Sequence, residues 1–344
     1  MKSTEKIPST ATIMEVGMGF WPAKTLLSAV ELGLFTELNN KSMTAEKLRD
    51  ALGLHPRAVP DFLDALVALH LLDRDGDGPR ALYSNTEETQ LFLNRNSPEY
   101  MGGILEMANA RLYRFWGDLT EALKTGKPQN EIKHTGEPMF KNLYSDPKRL
   151  EQFMNAMSGV STANFRAFAQ KFNFSRYRTL CDIGGATGRL SIIVAKQHPH
   201  LRCTTVDLPE VTPIAQRQIA ASGLSDRISV KTVDIFSEQL PRADVITMGM
   251  ILHDWNLEKK MQLIRAAYDA LPPGGAFAVI ENLIDDARRE NTFGLMMSLN
   301  MLIEFGDAFD FTAADFFRWC RSVGFRKTEI IPLTGPASAG VAYK

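Results

Sequence analysis

His253 directly follows an apolar run, ITMGMIL, and is itself followed by Asp254 and Trp255; one strand-helix-strand interval later a second apolar run, AFAVI, ends on Glu281. An imidazole with an ordinary pKa of about 6.5 is mostly neutral near pH 7 and can take a proton. A carboxylate on the far ring nitrogen fixes the tautomer that does so. His253 and Glu281 therefore read as a general base and its orienting group, both at the carboxyl edge of a parallel sheet, where open sheets bind ligands. The plainer alternative makes the polar end of the run a helix start, with Asp254 or Asn256 as its cap.

A second group of residues offers binding chemistry. The turn DIGGATG runs from Asp182 to Gly188 between a short apolar strand and the helical pattern GRLSIIVAKQH. Its glycines let backbone approach a ligand closely, and the helix N-terminus that follows favours a negative group. The dinucleotide fingerprint fails, because counting from Gly184 places Ala186 third and Arg189 sixth, and no Gly-Lys-Ser/Thr follows to make a P-loop. Asp207 closes the next strand about 20 residues on, where a carboxylate can accept both hydroxyls of a ribose. Asp234 sits at the end of the strand after that. Acids ending two consecutive strands beside a glycine turn point to a nucleoside-type ligand.

These residues need a frame to hold them. From Arg178 onward TLCDIGG, CTTVDL, ISVKTVDIF, ADVITMGMIL and GAFAVIENLI read as strands alternating with helices, which predicts an α/β fold with a parallel, doubly wound sheet. From about Thr12 to Tyr100 apolar residues recur at helical spacing, with a hairpin signal around DGDG, and this order resembles a winged helix. Its DNA-binding reading would make AVPDFLDALVALHLL the recognition helix, yet that segment carries Asp61 and Asp64 with only Arg57 near its start. A groove-reading helix needs cations or amides facing phosphates and base edges. A helical domain over 1–165 and a catalytic domain over 166–344 are expected.

Composition narrows the partners. With 39 Lys and Arg against 40 Asp and Glu, the net charge of −1 offers no general attraction to nucleic acid or an anionic membrane. A small-molecule substrate, no nucleic acid and no membrane partner are expected. Glu5 and Glu15 interrupt the amino-terminal apolar residues, so no signal peptide is expected, and the scattered Cys181, Cys203 and Cys320 fit a reducing cytoplasm rather than a disulfide framework. No metal is expected: of the six histidines only His198 and His200 are closely spaced, and they read as solvated loop residues flanking Pro199.

Taken in order, LCDIGGATG, TTVDLP, VDIF, ILHDW and LPPGGAFAVIEN resemble the S-adenosylmethionine-dependent small-molecule O-methyltransferases of the plant caffeate and bacterial polyketide-tailoring type. The amino-terminal LGLFTEL and winged-helix-like region resemble the dimerisation domain of that family, which implies a homodimer. The resemblance implies that S-adenosylmethionine is held by Ser161, Asp182, Gly184, Gly185, Gly188, Asp207, Leu208, Asp234, Ile235 and Trp255. It implies Met157, Asp254, Asn300 and Met301 at the acceptor, in a pocket that also takes in Met250, Met297, Phe305 and Glu304, with His253 as base and Glu281 against it. Two positions depart from the plant enzymes: Ala313 stands where a second glutamate is expected against the histidine, and Gly249 where a lysine is expected. An N-methyltransferase, a relative that keeps the cofactor site with changed chemistry, or a cofactor-sensing DNA-binding regulator are the alternative readings.

Overall fold

The computed structural model describes residues 9–136, 143–144 and 146–344. The chain folds as two compact units, Met1–Tyr113 and Arg114–Lys344.

In the first unit, helices such as Phe20–Glu31, Ala45–Leu52 and Val59–Ala68 surround a small antiparallel sheet of order β1-β3-β2, made by β1 (Met43–Thr44), β2 (Leu72–Asp75) and β3 (Leu82–Asn85). Thr44 caps Ala45–Leu52 by accepting from the Lys47 N–H, and Gly53, in the left-handed region at φ +65°, ends that helix. The β2–β3 hairpin pairs Leu72 with Asn85 across the acidic DGDG segment, as its turn residues suggest. Val59, Leu63 and Leu66 turn inward from one stripe of their helix onto Leu34, Leu38 and Leu48. The acids of that helix are already engaged: Asp61 pairs with Arg57, and Asp64 accepts from Arg74 at 2.9 Å and from the Tyr83 hydroxyl at 2.8 Å.

The second unit contains a long helix, Pro147–Lys171, inside which the expected domain boundary at 165/166 falls. Its sheet has seven strands: β4 (Thr179–Ile183), β5 (Arg202–Asp207), β6 (Ile228–Thr232), β7 (Val245–Gly249), β8 (Ala276–Glu281), β9 (Lys327–Pro332) and β10 (Ser338–Tyr343). Their order is β6-β5-β4-β7-β8-β10-β9, parallel from β6 to β8, with β10 antiparallel to both of its neighbours. The chain winds outward from β4 to β6 and then crosses to β7 on the other side of β4, so a crevice opens at the carboxyl ends of the central strands. Because alternate residues of a strand face opposite ways, Ile246 and Met248 join Phe277 and Val279 on one face, while Val245, Ala278 and Ile280 pack with Phe168 and Phe172 on the other. Residues buried on both faces explain the nearly unbroken apolar runs.

The three cysteines are free and buried, and among the described residues no helix is long and apolar enough to cross a membrane. His198 and His200 are not simply solvated: their Nε2 atoms lie 2.8 Å from the Ala169 carbonyl and 3.2 Å from the Phe174 carbonyl, pinning the end of the long helix.

Candidate active site

Gly184, at the end of β4, takes φ +65°, and a Cβ there would lie 2.4 Å from Ile251 Cδ1. At Gly185 a Cβ would sit 2.6 Å from Thr205 Cγ2 and 2.8 Å from Asp182 Oδ2. Gly188, at φ +75°, opens the helix Arg189–Gln197. The turn therefore stays free of side chains where the backbone faces the crevice. Buried Asp182 accepts from the Thr247 hydroxyl at 2.8 Å, and burial pushes its pKa up to about 7 despite that bond.

Asp207 ends β5 beside this turn. Its Oδ2 accepts from the Ala186 N–H at 2.8 Å and its Oδ1 from the Leu208 N–H at 2.8 Å, which helps to hold Ala186 in the left-handed region at φ +49°. Each oxygen keeps a lone pair for a further donor. Asp234 is exposed past β6 and folds its own loop, accepting from Phe236 N–H at 3.0 Å and from the Ser237 hydroxyl at 2.8 Å. Ile235 and Trp255 are half-buried, and the Trp255 ring meets Phe236 edge-on at 4.6 Å. Ser161 is half-buried on the long helix, and one turn before it Ser158 does what spacing alone did not suggest: it meets the Thr187 hydroxyl at 2.7 Å, tying that helix to the glycine turn.

Beyond β7, Met250 adopts φ +55°, a strained value for a side chain of its size, and turns the chain into the short helical segment Leu252–Asp254. His253 and Asp254 lie on this segment, whereas the cap of the next helix, Leu257–Ala270, is Asn256. The capping alternative is right for Asn256 and leaves His253 to other work. His253 is buried, with Nε2 3.3 Å from Asp254 Oδ1 and Nδ1 3.4 Å from Asp310 Oδ1. Glu281 reaches the same place, since donor atoms of His253, Glu281 and Asp310 all lie within 4.8 Å of one another. Its Oε1, however, accepts from the Ile251 and Leu252 N–H groups at 3.2 and 3.0 Å, so Glu281 holds the turn that carries the histidine.

With Ala313 in place of the second glutamate, Glu281 is the only carboxylate that matches the family's pair, and the structure adds Asp310 beside His253. Ala313, taken as the missing second acid, begins the helix Ala313–Val323; the acid arrives three positions earlier, on the segment entering that helix. Burial pulls the His253 pKa down, but the charges of Asp254, Glu281 and Asp310 outweigh it and hold the imidazole above its ordinary range. His253 thus stands among three acids, Glu281 and Asp310 buried and Asp254 half-buried.

Known proteins resemble this chain along most of its length. An O-methyltransferase domain is matched over residues 116–326 and an O-methyltransferase dimerisation domain over residues 14–95. The chain belongs to the O-methyltransferase family. The tetracenomycin polyketide synthesis 8-O-methyl transferase TcmO of Streptomyces glaucescens is 37% identical over 332 residues, 96% of both chains. The N,N-dimethyltransferase OxyT of Streptomyces rimosus is 34% identical, over 93% of this chain and 92% of its own. The crystal structure of human N-acetylserotonin methyltransferase in complex with SAM superimposes with a TM-score of 0.90 at 28% identity, covering 100% of this chain and 99% of that one.

Of the residues expected at the acceptor, Met157 is half-buried, Met301 buried, and Asn300 accepts from the Trp116 indole N–H at 2.9 Å. Glu304, on the same helix, Thr292–Phe305, is buried and takes the Asn130 amide at 3.0 Å. Asp254 lies close enough to feel the Glu304 charge, and burial first, then Asp310 and Glu304, raise its pKa while His253 opposes the rise. At Gly249 the Phe165 ring lies close by, so that a Cβ would lie 3.0 Å from Phe165 Cε1 and a lysine there requires the ring to give way.

Proposed function

We propose that this methyltransferase uses S-adenosylmethionine to methylate a hydroxyl, phenolic or enolic, of a small aromatic secondary metabolite, with His253 as general base. The observation that carries this reading is the buried imidazole between Asp254 and Asp310, at the carboxyl edge of β7 next to the glycine turn. The cofactor fits the residues present: a turn where side chains would clash, and an acid at the end of β5 with a lone pair to spare on each oxygen. When bound, it supplies an activated methyl group on a sulfonium. The chain's part is to bring the acceptor oxygen into line and to take its proton. With Nδ1 facing Asp310, the lone pair for that proton belongs on Nε2, on the side of Asp254.

A nitrogen acceptor is the second reading, favoured by the name of the OxyT relative and by the acids Asp254, half-buried, and Glu304, buried, which suit a protonated amine as well as a hydroxyl. Incubation with methyl-labelled cofactor and matched panels of phenols and amines decides between them. Label is expected on phenols, and labelling of amines alone would overturn the oxygen reading.

The protein is further proposed to work as a homodimer. Ile13, Met14, Val16, Phe20 and Trp21 are exposed apolar residues in the first unit, within or beside the span matched by the dimerisation domain, and a patch of this kind calls for a covering surface. Light scattering should give about twice the 38.4 kDa chain mass, and a particle of one chain mass would refute it.

A further inference from the structure

On the helix Leu257–Ala270, the residues that turn inward are Lys260, Leu263, Ile264, Ala267 and Ala270, so a lysine heads an otherwise apolar core stripe. Lysine is almost never fully buried unless it is paired. Lys260 is 0% exposed, and its Nζ donates to the Trp255 carbonyl, two residues past His253. The same Nζ stands 3.7 Å from the centre of the Phe309 ring and 5.8 Å from that of Phe311, the two residues flanking Asp310. A parallel tie runs from the Asn256 amide to Asp307 at 2.8 Å. The His253 turn and the Asp310 segment therefore meet through one buried ammonium.

The geometry assigns Lys260 as a positioning residue for the proton-accepting histidine: it clamps the turn bearing His253 to the segment bearing Asp310, and it is a second cation among their carboxylates. The inference rests on the reading of His253 as base. The charged groups around Lys260 are Asp254 from its own connection, Glu281 from β8, and Asp307 and Asp310 from the segment before Ala313–Val323; His253 stands among the same acids. Burial lowers the Lys260 pKa and these acids oppose the drop, so the residue is held as a cation close to the point where desolvation would neutralise it. A cation there offsets the pull of the acids on His253 and keeps the imidazole easier to deprotonate. Removing it leaves the same acids to act on His253 alone.

Lys260→Met keeps the length of the side chain and removes the charge and the donor. On a phenol that is neutral at the assay pH, turnover near pH 7 is expected to fall about tenfold, and the acid limb of the pH–rate profile to move up by about one unit. S-adenosylhomocysteine affinity, measured by calorimetry, should stay within about twofold, because the glycine turn and Asp207 are not touched. On a phenol already ionised at that pH the loss should shrink. A variant that binds S-adenosylhomocysteine and shows an unmoved acid limb, or an equal loss on both phenols, overturns the assignment. Should Lys260→Met fail to bind S-adenosylhomocysteine, Phe309→Leu decides: it removes the ring under Nζ and leaves the charge, and a limb that does not move at all overturns the clamp. His253→Gln is run alongside. Full activity of that variant on the neutral phenol removes the base reading and this inference with it, whereas an inactive His253→Gln beside a Lys260→Met with wild-type behaviour removes this inference alone.

Discussion

His253→Gln is expected to lower methyl transfer to a neutral phenol by about 100- to 10,000-fold while leaving cofactor affinity nearly unchanged. Glutamine fills much of the same volume and can still donate toward Asp310, so the turn is kept and the proton acceptor is lost. The pH dependence gives an independent reading. Because three acids hold the His253 pKa above about 6.5, the base is protonated below that raised value and competent above it. Wild-type turnover should therefore keep rising with pH past the range of a free imidazole. In the variant this limb should vanish, and the remaining rate should follow ionisation of the acceptor itself. Phenols of low pKa should lose least, since a preformed oxyanion needs no base. Single-turnover rates on a series of phenols, with calorimetry on S-adenosylhomocysteine, separate the two terms. Full activity of His253→Gln on a neutral phenol would mean that ILHDW is structural and that alignment alone carries the reaction.

Much of this site could be read from residue order because its parts close strands. Strands β4, β5, β7 and β8 are apolar runs that end on Asp182 and the glycines, Asp207, the His253 turn and Glu281, and a parallel sheet brings all four ends to one edge. What stayed hidden sits where periodicity is silent. Asp310 lies in GDAFDFTAADFF with two other aspartates, and only Asp315 has a local signature, as the partner of Thr312 in a capping box. No spacing rule picks Asp310 from that run; its isolated pairing with the rest of the fold, Ile284 against Thr312, is long-range. Strands β9 and β10 likewise carry little local signal. SAGVAY holds four small residues beside Val341 and Tyr343 and no polar alternation, and it becomes a strand because β8 and β9 pair with it on either side. Lys260 was legible in principle, since a charge on a stripe of Leu263, Ile264 and Ala267 breaks the helix's own pattern. The Ser158 and Thr187 contact joins two residues whose types are ordinary for solvated positions, and nothing in the chain order marks it.

Removing the carboxylate of Asp207 should separate binding from chemistry in the opposite sense. In Asp207→Ala a charge-assisted contact worth roughly 1.5 to 3 kcal/mol is lost, so S-adenosylhomocysteine should bind about 10- to 100-fold more weakly. Turnover at saturating cofactor should fall far less than in the His253 variant, because the acceptor base is untouched. Part of the effect will come through the turn, as the Ala186 and Leu208 N–H groups lose their acceptor. Asp207→Asn removes the charge and keeps one oxygen, enough for one of those N–H groups, while the other faces an amide NH2 that cannot accept. A near wild-type affinity for Asp207→Asn puts the loss in Asp207→Ala on the turn and takes it off the charge. Burial, opposed by the two N–H bonds, raises the Asp207 pKa to about 6. The sign follows directly: the acid is ionised above that value, so wild-type affinity should weaken as the pH is taken down through about 6, while Asp207→Ala should bind equally on both sides of it. Wild-type affinity in Asp207→Ala, at any pH, would remove this acid from the cofactor site.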